Sequence, residues 1–121
     1  MYEYQAKVDR IIDGDTIDLL VDLGFYTSTL MRVRLRGVDA PEVRGVERPE
    51  GLLSTAFVNE QIPAGTKVLI RTYKIGKFGR YIADILYIPG KKEPALSELQ
   101  GGACDLAQEM LKAGYAEPYD M

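Results

Sequence analysis

The sequence predicts a mainly β fold: a small barrel of five strands with two helices packed on it. Three observations point there. Several runs alternate apolar and polar residues with a period of two. Glycines and prolines punctuate those runs at turn positions. Only two segments change to helical spacing, one between the third and fourth strands and one after the fifth.

The first strand is read from Tyr4, Ala6 and Val8, which alternate with polar residues. Asp13-Gly14 is a turn signal between two β-rich runs. Ile17, Leu19, Val21 and Leu23 then alternate with Asp18, Leu20 and Asp22 as a second strand, which Gly24 ends. Met31, Val33 and Leu35 alternate with Arg32, Arg34 and Arg36, so the third strand has one apolar face and one row of arginines. Gly37 and Pro41 stop it. From Pro49 the spacing becomes helical, with Leu52, Leu53, Ala56 and Phe57 as the apolar face, and Pro63-Ala64-Gly65 closes the helix.

Val68 to Tyr73 and Tyr81 to Ile88 are the fourth and fifth strands, joined by a glycine-containing turn. After the Pro89–Pro94 loop, Ala103, Leu106, Ala107, Met110 and Leu111 make one helical face, with Gly114 at the position that follows a helix end. Ser97 and Gln100 resemble a capping box, interrupted by Gly101-Gly102. Cys104 on that face reads as a small buried apolar residue. Five strands with helices in these places match an OB-like barrel, whose open face commonly takes oligonucleotides.

The length of 121 residues predicts one domain over 1–121. At 46% hydrophobic and 27% charged residues the chain is expected to fold around one core. A single cysteine excludes an internal disulfide. No stretch is long and apolar enough to span a bilayer as a helix, so no membrane partner is expected. Residues 1–10 do not read as a secretory signal, giving the expectation of a cytoplasmic protein, or of a secreted one if a leader has been removed. The net charge of −3 argues against tight non-specific binding of nucleic acid but leaves room for a locally positive cleft. Histidine is absent, which removes Ser-His-Asp hydrolysis, histidine-based nucleases and nearly all catalytic zinc sites.

The residues left to carry chemistry are carboxylates and arginines. Asp15 shares parity with the inward-facing Ile17, Leu19 and Val21, where an ionised carboxylate needs a partner or a metal. By itself Asp13-Gly14-Asp15-Thr16 also reads as an ordinary turn. Asp39 and Glu42 flank Ala40-Pro41, and the proline fixes the backbone between them; an acidic loop leading into the next helix reads equally well. Asp15, Asp39 and the Ala40 carbonyl are hard oxygen donors of the kind that select Mg²⁺ or Ca²⁺, with waters and a substrate phosphate completing the shell.

Arg34 and Arg80 can each donate paired hydrogen bonds to phosphate. Arg32 and Arg36 read as a solvated strand face. Glu42 is the candidate to take a proton from, or to orient, an attacking water. Lys77 and Phe78 suit a phosphate and a stacked base, although Phe78 could equally be core, and Tyr115 and Tyr119 could stack or simply pack.

These motifs, in this order and spacing, resemble the staphylococcal (micrococcal) nuclease-like family, also called thermonuclease-like. The resemblance runs from about Val8 to Tyr115. It rests on Ile12-Asp13-Gly14-Asp15-Thr16, on Val33 to Glu42, on Lys77-Phe78-Gly79-Arg80-Tyr81-Ile82-Ala83-Asp84, and on Leu111 to Ala116. It implies an OB-fold barrel and a Ca²⁺-dependent endonuclease that hydrolyses DNA and RNA phosphodiesters, leaving a 3′-phosphate and a 5′-hydroxyl. It further implies calcium ligation by Asp15, Asp39 and the Ala40 main-chain carbonyl, with Asp13 just behind them. Arg34 and Arg80 would bind phosphate, and Glu42 would be the general base. Lys77 and Phe78 would contact the nucleotide's terminal phosphate; Tyr115 and Tyr119 are nucleotide-binding candidates from their rings alone, apart from the resemblance.

The sequence departs from the family pattern in its acidic balance, in phenylalanine where a tyrosine is usual beside Lys77, and in a longer loop before the last helix. The competing expectation is a non-catalytic module of the same fold that binds nucleic acid or a protein partner. A monomer is expected.

Overall fold

The described residues run through twelve elements: β1 (Tyr2–Asp13), β2 (Thr16–Asp22), β3 (Ser28–Leu35), β4 (Val38–Asp39), a 3₁₀ turn (Gly45–Glu47), α1 (Arg48–Gln61), β5 (Lys67–Ile75), β6 (Tyr81–Tyr87), α2 (Leu96–Gly101), β7 (Cys104–Asp105), α3 (Leu106–Ala113) and β8 (Glu117–Pro118). This is a computed structural model, and it describes residues 2–75 and 80–119, the side chains of residues 74 and 75 excepted.

Strand β1 sits between two antiparallel neighbours. Ala6 is opposite Val21 of β2 on one side and Val68 of β5 on the other. β3 continues from β2, and β6 from β5. The sheet closes where β3 and β6 run parallel, Val33 to Leu35 beside Tyr81 to Ala83. The result is the closed five-stranded barrel with helices expected from the sequence, an OB-like architecture. Closure leaves no free edge between β3 and β6.

The inward parity is the one the alternation gives. Val8, Ile17, Leu19, Val21, Val33, Leu35, Ile70 and Ile85 fill the barrel and are almost wholly buried. Each contributes about 1.5–3 kcal/mol by leaving water. Leu69 and Leu86 point outward into a second small cluster with Leu99, which α2 supplies.

Three features differ from the sequence expectation. β1 is longer than its alternation suggests, because register shifts between Val8 and Arg10 and between Ile11 and Asp13 break the period of two without breaking the pairing. The buried face of α1 is Gly51, Ser54 and Val58, continuing to Ile62, whereas Leu52, Leu53 and Ala56 are exposed. Small residues face inward there because the helix lies almost against backbone, as described below. The expected last helix is two helices.

Gly101-Gly102 ends α2, the chain extends through β7 beside Leu86 and Tyr87, and α3 starts anew at Asp105, whose side chain accepts from the Ala107 amide at 3.0 Å. Ser97 and Gln100 therefore form no capping box. Glu98 does that work in α2, accepting from the Ala95 amide at 3.1 Å. Cys104 lies on a strand rather than on a helix, half-buried against the core. No helix among the described residues is long and apolar enough to cross a membrane.

α3 presents Leu106, Ala107 and Met110 to the core, as its spacing predicts, and Gly114 terminates it. β8 then pairs with β4, placing Asp39 opposite Glu117. That short ladder ties the C-terminal segment to the rim of the barrel where the candidate site lies.

Candidate active site

The register of β2 on β3 places Thr16 opposite Arg34, so the turn before β2 and the end of β3 meet. Asp15, at that turn, is only 5% exposed. Its Oδ2 accepts from Arg34 Nη1 at 2.7 Å and from the Ala40 amide at 3.0 Å, and its Oδ1 accepts from the Thr16 hydroxyl at 3.2 Å. The buried carboxylate is thus held by three donors, which offsets its loss of water.

Arg34 reaches two carboxylates at once. Its Nη2 donates to Asp39 Oδ1 at 3.3 Å and to the Val38 carbonyl at 3.2 Å. Burial pulls the Arg34 pKa down, but the adjoining Asp15 and Asp39 carboxylates outweigh it and hold the pKa above its ordinary value. The guanidinium is charged at any working pH. Arg80 enters from the position just before β6, its Nη1 donating to the Thr16 hydroxyl at 3.3 Å. Thr16 therefore stands between Asp15 and Arg80, a bridging role that its place in Asp-Gly-Asp-Thr did not disclose.

Glu42 is exposed, on a segment whose backbone is pinned from three sides. The Val43 amide donates to Asp13 Oδ1 at 3.4 Å, and the Val43 carbonyl accepts from Arg48 Nη1 at 2.9 Å. A Cβ on Gly51 would lie 2.0 Å from the Glu42 carbonyl oxygen, so α1 presses directly on that backbone. Asp13 acts here through the loop. A Cβ on Gly14 would likewise meet Ser54 Oγ at 2.2 Å, with Ala40 and Met110 at 3.0 Å. Gly14 does not have a left-handed φ; close approach is what requires glycine there. The signal for both contacts was present as a glycine beside the first aspartates and a glycine inside a helix.

The tail completes the rim. The Tyr119 amide donates to the Gly37 carbonyl at 2.9 Å, and the Arg34 guanidinium lies 5.3 Å from the Tyr119 ring centroid. Tyr115 is elsewhere, stacked on Phe57 with centroids 4.8 Å apart and its carbonyl accepting from Ser54 Oγ. Its ring is committed to packing, although it also lines a cleft beside Asp39.

Arg32 and Arg36 stand apart from the site, as expected, but they are not merely solvated. Arg32 pairs with Asp18 at 2.8 Å, and Arg36 pairs with Asp84 at 3.1 Å while lying over the Tyr73 ring at 4.3 Å. Lys77 and Phe78 lie outside the described residues.

The structure thus brings Asp15, Arg34, Asp39, Ala40, Arg80 and Tyr119 to one rim, with Asp13 and Glu42 on the adjoining loop. An acid-and-arginine rim on a closed OB-like barrel defines a nuclease-like domain. A family model of the staphylococcal nuclease homologues matches residues 32–121, and the chain belongs to that family. It is similar to uncharacterized protein MJ1439 of Methanocaldococcus jannaschii, 25% identical over 96% of this chain and 59% of that protein. It is also similar to protein ParB of Escherichia coli, 55% identical over 42 residues, which are 35% of this chain and 21% of that one. The chain thus spans less than two thirds of either curated relative.

Proposed function

We propose that the protein is a Ca²⁺-dependent phosphodiesterase acting on DNA or RNA. One observation carries the reading: two carboxylates from different elements, Asp15 and Asp39, converge on a positive charge at a rim that also holds Arg80. Carboxylates arranged around a cation, with no histidine in the chain, fit a hard divalent metal.

Asp15, Asp39 and the Ala40 carbonyl would hold the metal, and Asp13 would support them through the Val43 loop. Among the described residues no three acidic or sulfur ligands already stand close enough to bind one, so water and a substrate phosphate oxygen would complete the shell. When bound, calcium supplies Lewis-acid polarisation of a phosphoryl oxygen.

The chain's own residues do the rest. Arg34 and Arg80 donate to the non-bridging oxygens as negative charge builds on them. Losing one such preorganised donor typically costs on the order of 10²–10³ in rate. Glu42, exposed on a fixed backbone, takes the proton of the water that attacks phosphorus. Tyr119 keeps the Arg34 guanidinium in place. Lys77 and Phe78 would contact the nucleotide. By family likeness the products are a 3′-phosphate and a 5′-hydroxyl.

The alternative is a binding module without catalysis. It draws on the acidic balance of the chain and on the fact that Arg34 is already engaged by two carboxylates. Incubation of the purified protein with single-stranded DNA, with calcium or with chelator, decides between them. Calcium-dependent cleavage is the expected result, and its absence from neutral to alkaline pH would sink the nuclease reading.

A further inference from the structure

The turn that joins β2 to β3 holds two aromatic residues in a conformation that suits asparagine and glycine. The Thr27 amide donates to the Gly24 carbonyl at 2.9 Å, and the Leu23 amide donates to the Thr27 carbonyl at 2.8 Å. Between them Phe25 and Tyr26 have φ of 54° and 59°. That is the geometry of a type I′ hairpin turn, whose usual central pair is Asn-Gly. A left-handed φ is costly for a bulky side chain. Packing within the chain does not offset that cost, because both rings stand in solvent, 99% and 109% exposed. Strain at an exposed tip points to a contact that the rings make outside their own chain.

A pocket of about 300 Å³ opens beside the same hairpin. Among the described residues its walls include Tyr2, Tyr4, Leu23, Met31, Tyr73 and Tyr81, and none of those lining it is charged. The walls are set in place: the Tyr73 hydroxyl donates to Asp84 at 2.8 Å, and the Thr72 hydroxyl donates to the Tyr2 carbonyl at 3.3 Å. An apolar cavity of about 150 Å³ already holds benzene, so an aromatic side chain has room here. Leu23 belongs to both features, since it lines the pocket and closes the turn. The exposed rings do not fill the pocket of their own chain. A nucleic-acid backbone would find no counterion at the tip: Val21 to Met31 contain no lysine or arginine, and Arg32 is paired with Asp18.

We infer that two copies of this chain pair through these features, each inserting Phe25 and Tyr26 into the tyrosine-lined pocket of the other. One surface carries both the knob and the hole, the self-complementarity that a two-fold interface requires. Each buried aromatic ring removes about 150–250 Å² from water. Four rings and the walls that receive them bury on the order of 1,200–2,000 Å², the span of a standard specific interface. The strained turn is then offset by burial that only the pair provides. The protein is a dimer, rather than the monomer expected from the sequence. The interface lies at the opposite end of the β2–β3 ladder from Thr16 and Arg34, so it is independent of the phosphodiesterase reading.

Sedimentation of the parent over micromolar to millimolar concentrations tests this, beside two variants. F25N/Y26G gives the turn its usual residues. It should weaken the dimer by about a hundredfold or more, the scale on which clustered aromatic anchors act. Its melting temperature, measured where the parent is also monomeric, should be no lower, which separates lost pairing from lost folding. Tyr2→Glu acts on the pocket side: it removes one wall and brings a charge to the mouth, at a residue 70% exposed in the single chain. It should weaken the dimer by about tenfold or more. A parent that stays monomeric throughout, or a dimer that survives either variant undiminished, would overturn the inference. A monomeric parent that bound phosphatidylcholine vesicles or single-stranded DNA through Phe25 and Tyr26 would also overturn it, by giving the rings another occupant.

Discussion

Arg34 lies 2.7 Å from Asp15, and the pair is shielded, with side chains 18% and 6% exposed. The partners come from the end of β3 and the turn before β2, so the ion pair fastens two parts of the barrel rim. Removing one member leaves a desolvated charge alone, which typically costs 3–5 kcal/mol when burial is complete. Arg34 keeps Asp39 as a second, more exposed partner, which lessens the loss. Asp15→Ala should therefore lose about 3 kcal/mol in urea unfolding. It should also lose calcium binding by calorimetry. A loss under about 1 kcal/mol would mean that the pair behaves as a surface contact.

Glu42 gives a contrasting case. Its side chain is exposed, and the contacts around it are made by backbone and by neighbouring residues. Glu42→Gln should leave the melting temperature and oligonucleotide affinity unchanged while slowing cleavage by about 10²–10⁴-fold, the usual worth of a positioned general base. Cleavage at the parent rate would remove Glu42 from that role.

The strands were legible because burial in a barrel imposes a period of two. Ile17, Leu19 and Val21 on β2, and Met31, Val33 and Leu35 on β3, turn inward as their alternation requires. The face of α1 was misread because hydrophobicity is a poor guide where a helix rests on backbone. Gly51 and Ser54 face inward since nothing larger fits against Glu42 and Gly14, and Leu52 and Leu53 are left outside.

Local sequence identified Asp15, Arg34 and Asp39 as chemical groups. Their meeting depends on the Thr16–Arg34 register, a tertiary fact. The same holds for Arg36, whose partner Asp84 is 48 residues away. What Thr16, Gly14 and Gly51 do was not legible, because their roles are tertiary contacts rather than chemistry.

Gly51 allows a sharp comparison with Gly101. A Cβ at position 51 meets the Glu42 carbonyl oxygen at 2.0 Å, whereas one at 101 meets nothing within 4 Å. Gly51→Ala must push the Glu42 segment away from α1. The expected cost is about 1–3 kcal/mol of stability from overpacking. Misplacing a catalytic group by about an ångström should further reduce cleavage by about 10²-fold. Gly101→Ala, in α2, should keep full activity and gain up to about 1 kcal/mol by restricting the unfolded chain. Chemical unfolding and cleavage assays on both variants test the comparison. Equal behaviour of the two would show that α1 does not set the position of Glu42.

Asp105 carries a pH dependence whose sign follows from its surroundings. Burial, and then the nearby Asp84 carboxylate, raise its pKa, although the α3 backbone amides it caps and Arg36 pull the other way. A carboxyl whose folded pKa is raised favours folding in its protonated form. That contribution is fully present below the unfolded value of about 3.9 and is lost as pH rises through the higher folded value. At neutral pH the ionised Asp105 is therefore a net liability even with the helix cap it supplies. Asp105→Asn keeps an acceptor for the Ala107 amide and removes the charge, so it should stabilise the protein at neutral pH. The gain should vanish in acid, below about pH 3.9. Asp105→Ala, which loses the cap, should cost about 1 kcal/mol relative to Asp105→Asn at every pH. Urea unfolding of the three proteins across that range reads both effects. A stabilisation by asparagine that persisted undiminished in acid would show that charge is not its cause.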